Sequence, residues 1–134
     1  MASEGKRAGV EAHRKAKHYK ELLVWQKGME LAKAVYHLTK EFPVEERYGL
    51  VAQMRRAAVS VPSNIAEGQA RHGTGEFLQF LSHAPGSLAE LETQLILSET
   101  LGYCDARASS RAFELITELQ KMLQAMRRTL SVRC

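Results

Sequence analysis

An all-α, up-down-up-down four-helix bundle is the fold this sequence predicts, on three observations. Apolar residues recur at spacings of three and four through four successive segments. No segment alternates polar and apolar residues in the manner of a half-buried strand. The breaks between segments are short, at Phe42-Pro43, at Gly68 to Gly75 and at Gly102, and short connections make neighbouring helices antiparallel. The 134 residues, 45% hydrophobic with three prolines, suit a single core. The longest apolar runs fall far short of the about 20 residues of a membrane span, and the first part of the chain lacks the apolar segment of a secretory signal. Cys104 and Cys134 make no disulfide framework, so the expectation is a chain of the reducing cytoplasm.

The first helix is expected over about Leu22 to Glu41, with Leu22, Trp25, Met29, Ala32 and Val35 or Tyr36 inward. Phe42-Pro43 ends it, because a residue before proline is pushed out of the helical region. The second runs from about Val44 to Glu67, with Tyr48, Val51, Met54, Ala58, Val61 and Ile65 on one face. Pro62 interrupts that face. An interior proline removes a backbone hydrogen bond at a cost of roughly 3 kcal/mol, and Ser60, Ser63 and Asn64 beside it can bond the freed groups, so a kinked or restarted helix is expected.

The third helix is expected over about Gly75 to Leu101, with Phe77, Leu81, Ala84, Leu88, Leu91 and Leu95 in one stripe. Leu78, Phe80, Ala89, Ile96 and Leu97 lie to its sides, an arc too wide for one bundle core. A second copy of the chain would most easily cover the excess; a thick monomeric core with scattered surface leucines is the competing reading. Gly102 is placed as a C-terminal stop. Asp105 can cap the fourth helix, which runs to about Leu130 with Ala112, Ile116, Leu119, Leu123, Met126 and Leu130 inward. The organisation is then a basic flexible tail over 1–20, a bundle over 21–131, and a short C-terminal tail over 132–134.

The net charge of +4 sits in the tail. Residues 1–20 hold six Lys or Arg against two Glu, and the rest of the chain holds thirteen of each sign. Arg14, Lys15, Lys17 and Lys20 can therefore contact phosphates without sequence specificity, and a solubilising extension is the other reading. On the body, Arg55, Arg71, Arg127 and Arg128 are the candidate phosphate contacts.

Gln53, Arg56, Ser60, Ser63, Asn64 and Glu67 form a second stripe on the second helix that contains no lysine, and His83, Ser87, Glu90 and Gln94 form one on the third. A structural polar network is expected between them, with Arg55 or Arg56 pairing with Glu90 and with Ser87 near Pro62. Catalytic constellations are weak. There is no phosphate-binding glycine loop, no HExxH and no cysteine pair at zinc spacing, and His72, Glu76 and His83 are split by glycines. Cys104 has no histidine near it in sequence, and Asp105 is the only aspartate. No enzyme, cofactor or metal is expected.

The run QMRRAAVSVPSNIAEG, with LLVWQKGMELAKAVYHLT before it and GSLAELETQLILSETLGY after it, closely resembles the four-helix-bundle family of proteins encoded in 23S ribosomal RNA intervening sequences. The resemblance covers about residues 21–131 and rests on the order and spacing of the tryptophan, the Arg pair, SVPSNIAEG and GSLAELETQL. It implies a small bundle that assembles into a ring-like homo-oligomer, typically a pentamer, without established enzymatic activity. A related branch looks like the accessory protein that works with the reverse transcriptase of diversity-generating retroelements. Pro85 departs from the pattern, which has a non-proline before the Gly-Ser pair, and a bend in the third helix is expected from it.

Two functions follow as expectations. One is an oligomeric accessory protein that binds RNA or DNA through its basic residues. The other is a protein scaffold that docks a partner such as a reverse transcriptase, the partner holding the nucleic acid. Convergence of the basic residues of the second and fourth helices would favour the first, and dispersal among Glu partners the second.

Overall fold

The computed structural model describes residues 18–70 and 74–133, and all regular structure among them is helical. The helices are α1 (Leu23–Thr39), α2 (Leu50–Ala70), α3 (Thr74–Leu81), α4 (Ala84–Thr100) and α5 (Ala106–Arg133), with 3-10 turns at Tyr19–Glu21 and Val44–Glu46. α3 and α4 share the third arm of a four-armed bundle. α1 packs on α2 and α5, and α4 packs on the same two helices. No described helix is long and apolar enough to cross a membrane.

Side-chain pairs fix the helix directions. Lys27 Nζ lies 3.5 Å from Glu118 Oε1, while Arg111 Nη2, on an earlier turn of α5, lies 3.3 Å from Glu30 Oε2 on a later turn of α1. The two helices are therefore antiparallel. Arg55 meets Tyr36 and Thr39, whereas Pro62 meets Gly28, so α2 also runs against α1. Ser60 pairs with Ser87 and Met54 with Ser98, which sets α4 against α2. One end of the bundle thus gathers the start of α1 and the ends of α2 and α5. The other gathers the end of α1, the starts of α2 and α5, and Tyr103.

The core follows the predicted periodicity on three arms. Val51, Met54, Ala58, Val61 and Ile65 are buried, as are all six residues of the Phe77 to Leu95 stripe and all six predicted on the last helix. Tyr48 is the exception. The chain from Val44 to Gly49 is a 3-10 turn and a loop, so Tyr48 precedes the helix and is 89% exposed. α2 does not restart at Pro62; it is one helix from Leu50 to Ala70 with Pro62 buried inside it.

Leu22 and Val35 are buried as expected, and between them the buried stripe is Val24, Gly28 and Leu31, one step round from the expected Trp25, Met29 and Ala32. Met29 and Tyr36 are exposed, and Trp25 and Ala32 pack half-buried at the edge of the core. The reason is Gly28. Its missing side chain lets α1 approach α2 closely, with a hypothetical Cβ only 3.3 Å from Pro62, and that contact selects which face turns inward.

The third arm is two helices because of Pro85. α3 ends at Leu81, Ser82 and His83 form a turn, and α4 begins at Ala84 with Pro85 in its first turn, where the missing N–H has no helical acceptor to lose. The apolar stripe continues across the break, so both pieces bury the same face. The far end of α4 closes with a Schellman motif: Tyr103 N–H donates to Ser98 O at 2.9 Å and Gly102 N–H to Glu99 O at 3.0 Å, with Gly102 at φ +78°. Asp105 Oδ1 then accepts from Ala108 N–H at 2.8 Å and caps α5 as expected.

Glu46 ties that end together. Its Oε1 accepts from Leu50 N–H at 3.1 Å, capping α2, and its Oε2 accepts from the Tyr103 hydroxyl at 2.9 Å. Tyr103 also packs on Phe42, with ring centroids 5.5 Å apart. The hydrogen bond to Glu46, and then burial, raise the Tyr103 phenol above its ordinary 10.0. Its folded pKa therefore exceeds its unfolded one, so this contribution to stability is complete below the unfolded value and is lost as pH rises through the folded one. Replacing Glu46 with Ala is expected to cost about 1 kcal/mol through removal of the cap and to bring Tyr103 ionisation back toward its ordinary range. A chemical melt and an ultraviolet phenolate titration would check the two effects, and an unmoved phenolate titration would refute the link.

Candidate nucleic-acid interface

The candidate phosphate contacts do not form one cluster. Arg14, Lys15, Lys17 and Arg71 lie outside the described residues. Lys20 sits in the 3-10 turn that precedes α1 rather than in a flexible tail. That turn is capped by His18 Nδ1, which accepts from Lys20 N–H, and anchored by buried Leu22. Lys20, Arg127 and Arg128 are all exposed. The antiparallel register of α1 and α5 puts them at the same end of the bundle. α5 carries no acidic residue after Glu118, so Arg127 and Arg128 have no carboxylate of their own helix within two turns. Cations there also complement the helix macrodipole, a structural contribution of about 0.3–1 kcal/mol each.

Arg55 is elsewhere. It contacts the last turns of α1, level with the start of α5, so about 20 residues of helix, or ~30 Å, separate it from Arg127. Its Nε donates to Thr39 Oγ1 at 2.9 Å and its Nη2 to Tyr36 O at 3.3 Å, while its guanidinium lies 4.4 Å from the Tyr36 ring centroid. The side chain is thereby locked against the end of α1, with donors still free for an anion.

The expected polar network exists only in part. Ser60 Oγ is hydrogen-bonded to Ser87 Oγ and to Ala57 O, both at 2.7 Å, joining α2 to α4 two residues before Pro62. Gln53, Arg56, Ser63, Glu67 and Glu90 are exposed and Asn64 is half-buried. Among the described residues no ion pair joins Arg55 or Arg56 to Glu90. Glu90 instead accepts a long bond, 3.5 Å, from Gln94, which is itself buried with Oε1 lacking a partner. Arg55, one position from Arg56, is held by Thr39 and Tyr36 at the end of α1 rather than by Glu90 of α4.

Ion pairing on the body runs between α1 and α5. Lys27 bridges Glu30 and Glu118, and Arg111 bridges Glu30 and Glu114. These are exposed or half-exposed pairs that contribute under about 1 kcal/mol each. No group of three or more His, Cys, Asp or Glu side chains that could hold a metal occurs among the described residues. Cys104 is partly buried, and burial, followed by Glu99 and Asp105, raises its thiol above the ordinary value, the opposite of an activated nucleophile.

The helical arrangement, the glycine-proline contact of α1 with α2 and the capped α4 to α5 turn all fall within a region that matches a known family. The model described as 23S rRNA-intervening sequence protein covers residues 20–125. The chain belongs to that family. No curated protein matches it. The match starts at Lys20 and stops short of Arg127 and Arg128, so the family region holds the four-armed bundle, and part of the basic end lies at or beyond its limits.

Sequence reading missed Lys33, His37, Lys40, Arg47 and Arg111 as a set. Lys33, His37 and Lys40 stand at i, i+4 and i+7 on α1, a periodicity that is legible in the sequence. Their convergence with Arg47 and Arg55 depends on how the turn after α1 folds.

Proposed function

We propose that this 23S rRNA-intervening sequence protein is a non-enzymatic, cytoplasmic, homo-oligomeric accessory protein that holds the backbone of RNA or DNA at the basic end of its bundle. The observation that carries the reading is the placement of exposed Lys20, Arg127 and Arg128 at one end of the bundle by the antiparallel register of α1 and α5. Several copies in one assembly turn weak arms into one multivalent surface. A ring of five is the assembly that the family resemblance implies, the interior Pro62 supports a kink in α2, and Ile96 and Leu97 of α4 with Leu101 just after it give each copy exposed apolar surface for the ring.

The separation of Arg55 from Arg127 and the Glu partners of Lys27 and Arg111 favour the second reading, a scaffold that docks a protein such as a reverse transcriptase. The two readings diverge in solution. Fluorescence anisotropy of a labelled RNA hairpin and a DNA duplex should show salt-dependent binding by the full chain. Arg127→Gln with Arg128→Gln should lower affinity and flatten the salt slope by about 1 for each phosphate no longer neutralised. Absence of binding at 50 mM salt would leave the scaffold reading in place of this one.

A further inference from the structure

Two clefts flank the last turns of α1 and share one wall, Lys40. The first, about 500 Å³ between α1 and α5, is lined by Lys33, Tyr36, His37, Lys40 and Arg111, with Glu30 as its only carboxylate. The second, about 320 Å³ between the end of α1 and the start of α2, is lined by Lys40, Arg47 and Arg55 and by the apolar Phe42, Pro43, Val44 and Val51, with no carboxylate. Glu30 is already engaged by Lys27 and Arg111. Glu46 is committed to Leu50 and Tyr103, and the exposed Glu41 and Glu45 line neither cleft. Among the described residues no carboxylate pairs with Lys33, Lys40, Arg47 or Arg55. The cleft linings thus hold Lys33, Lys40, Arg47, Arg55 and Arg111 against the single carboxylate of Glu30, while Glu41, Glu45 and Glu46 lie outside them.

We infer that these joined clefts are a second phosphodiester-binding site, which seats a stretch of nucleic-acid backbone along α1 at the end of the bundle opposite Arg127 and Arg128. The site suits a chain of phosphates better than a single anion. Lys33, His37 and Lys40 repeat along one face of α1 with rises of about 6 and 4.5 Å, and Arg47 and Arg55 continue the positive line past the helix end. Arg55 is the fixed member, held by Thr39, Tyr36 O and the Tyr36 ring, so an anion meets a guanidinium that needs no reordering. Lys33 and Lys40 are exposed and supply charge without a demanding geometry. An acidic protein segment would meet the same charges. The periodic, extended arrangement of the cations favours a phosphate backbone.

The inference rests on the nucleic-acid reading above and extends it to a distinct surface. The test uses the full-length chain and a labelled RNA hairpin at 50 to 200 mM salt. It compares wild type, Lys33→Gln with Lys40→Gln, Arg127→Gln with Arg128→Gln, and all four substitutions together. The first pair should weaken binding several-fold, flatten the slope of log K against log salt by 1 to 2, and add to the effect of the second pair. The melting temperature should stay within about a degree, because both lysines are exposed and no described carboxylate pairs with them. A first pair with wild-type affinity and slope, beside a weakened second pair, would overturn this site and leave the proposed function standing. No RNA binding by wild type would overturn both, and binding of polyglutamate in place of RNA would reassign the clefts to an acidic protein.

Discussion

Leucine at position 28 is expected to destabilise the protein by about 3 kcal/mol or more, the upper part of the range for overpacking a core. A glycine inside a helix, such as Gly28, costs about 1 kcal/mol relative to alanine. The structure explains its presence. A Cβ at position 28 would lie 3.3 Å from both Cβ and Cδ of Pro62 and 3.4 Å from its Cα, so the space is taken by a rigid ring fixed to the α2 backbone. The ring cannot rotate away, and a larger side chain must push α1 off α2 along a face that also holds Val24, Leu31 and Val35. Gly86 is the control. It also sits in a helix, with nothing within 4 Å of where a Cβ would stand, so Gly86→Ala should stabilise by about 0.5–1 kcal/mol. Urea melts followed by helical circular dichroism would compare them, and a Gly28→Leu chain within 1 kcal/mol of wild type would contradict the packing account.

That contact also shows where the fold is legible in the sequence and where it is not. Periodicity locates the stripes of α2, α4 and α5 because their buried positions are large and apolar, as at Leu88, Leu91 and Leu95. On α1 it points one step away from the buried face, because the residue that decides that face is a glycine, which has no hydrophobic signal while marking the closest approach of two backbones. The division of the third arm is hidden by a stripe that runs unbroken from Phe77 through Ala84, and Pro85 alone hints at it. In the candidate site, Lys20, Arg127 and Arg128 are legible as charges. Their meeting at one end is not, since it depends on the antiparallel register of α1 and α5. The Lys40 clefts vanish in a charge count that sums the body to zero, although Lys33, His37 and Lys40 share a helical face. Charge totals average over space, and binding depends on which carboxylates are already engaged.

If the proposed assembly forms, replacing Ile96 and Leu97 together with glutamate is expected to reduce it to the 15.0 kDa chain at micromolar concentration while leaving helicity intact. Ile96, Leu97 and Leu101 are 55%, 45% and 50% exposed on the outer side of α4, and Ala89 and Thr93 extend the Leu97 to Leu101 line one turn at a time. In a monomer those positions face water, and a glutamate there would change stability by no more than about 0.5 kcal/mol. In the proposed assembly they are covered, and each new carboxylate must be desolvated without a partner, a cost of several kcal/mol per subunit that an interface of ordinary size does not absorb. The variant therefore separates the two situations by mass in sedimentation velocity rather than by melting. It also tests how nucleic acid is held. If copies act together, dispersing them should weaken RNA binding by about 10² or more with every basic residue in place, because linked arms act at high effective concentration. A wild-type chain that sediments as a monomer, or a variant that keeps both its mass and its affinity, would remove oligomerisation from the mechanism and leave each bundle to bind with its own two ends.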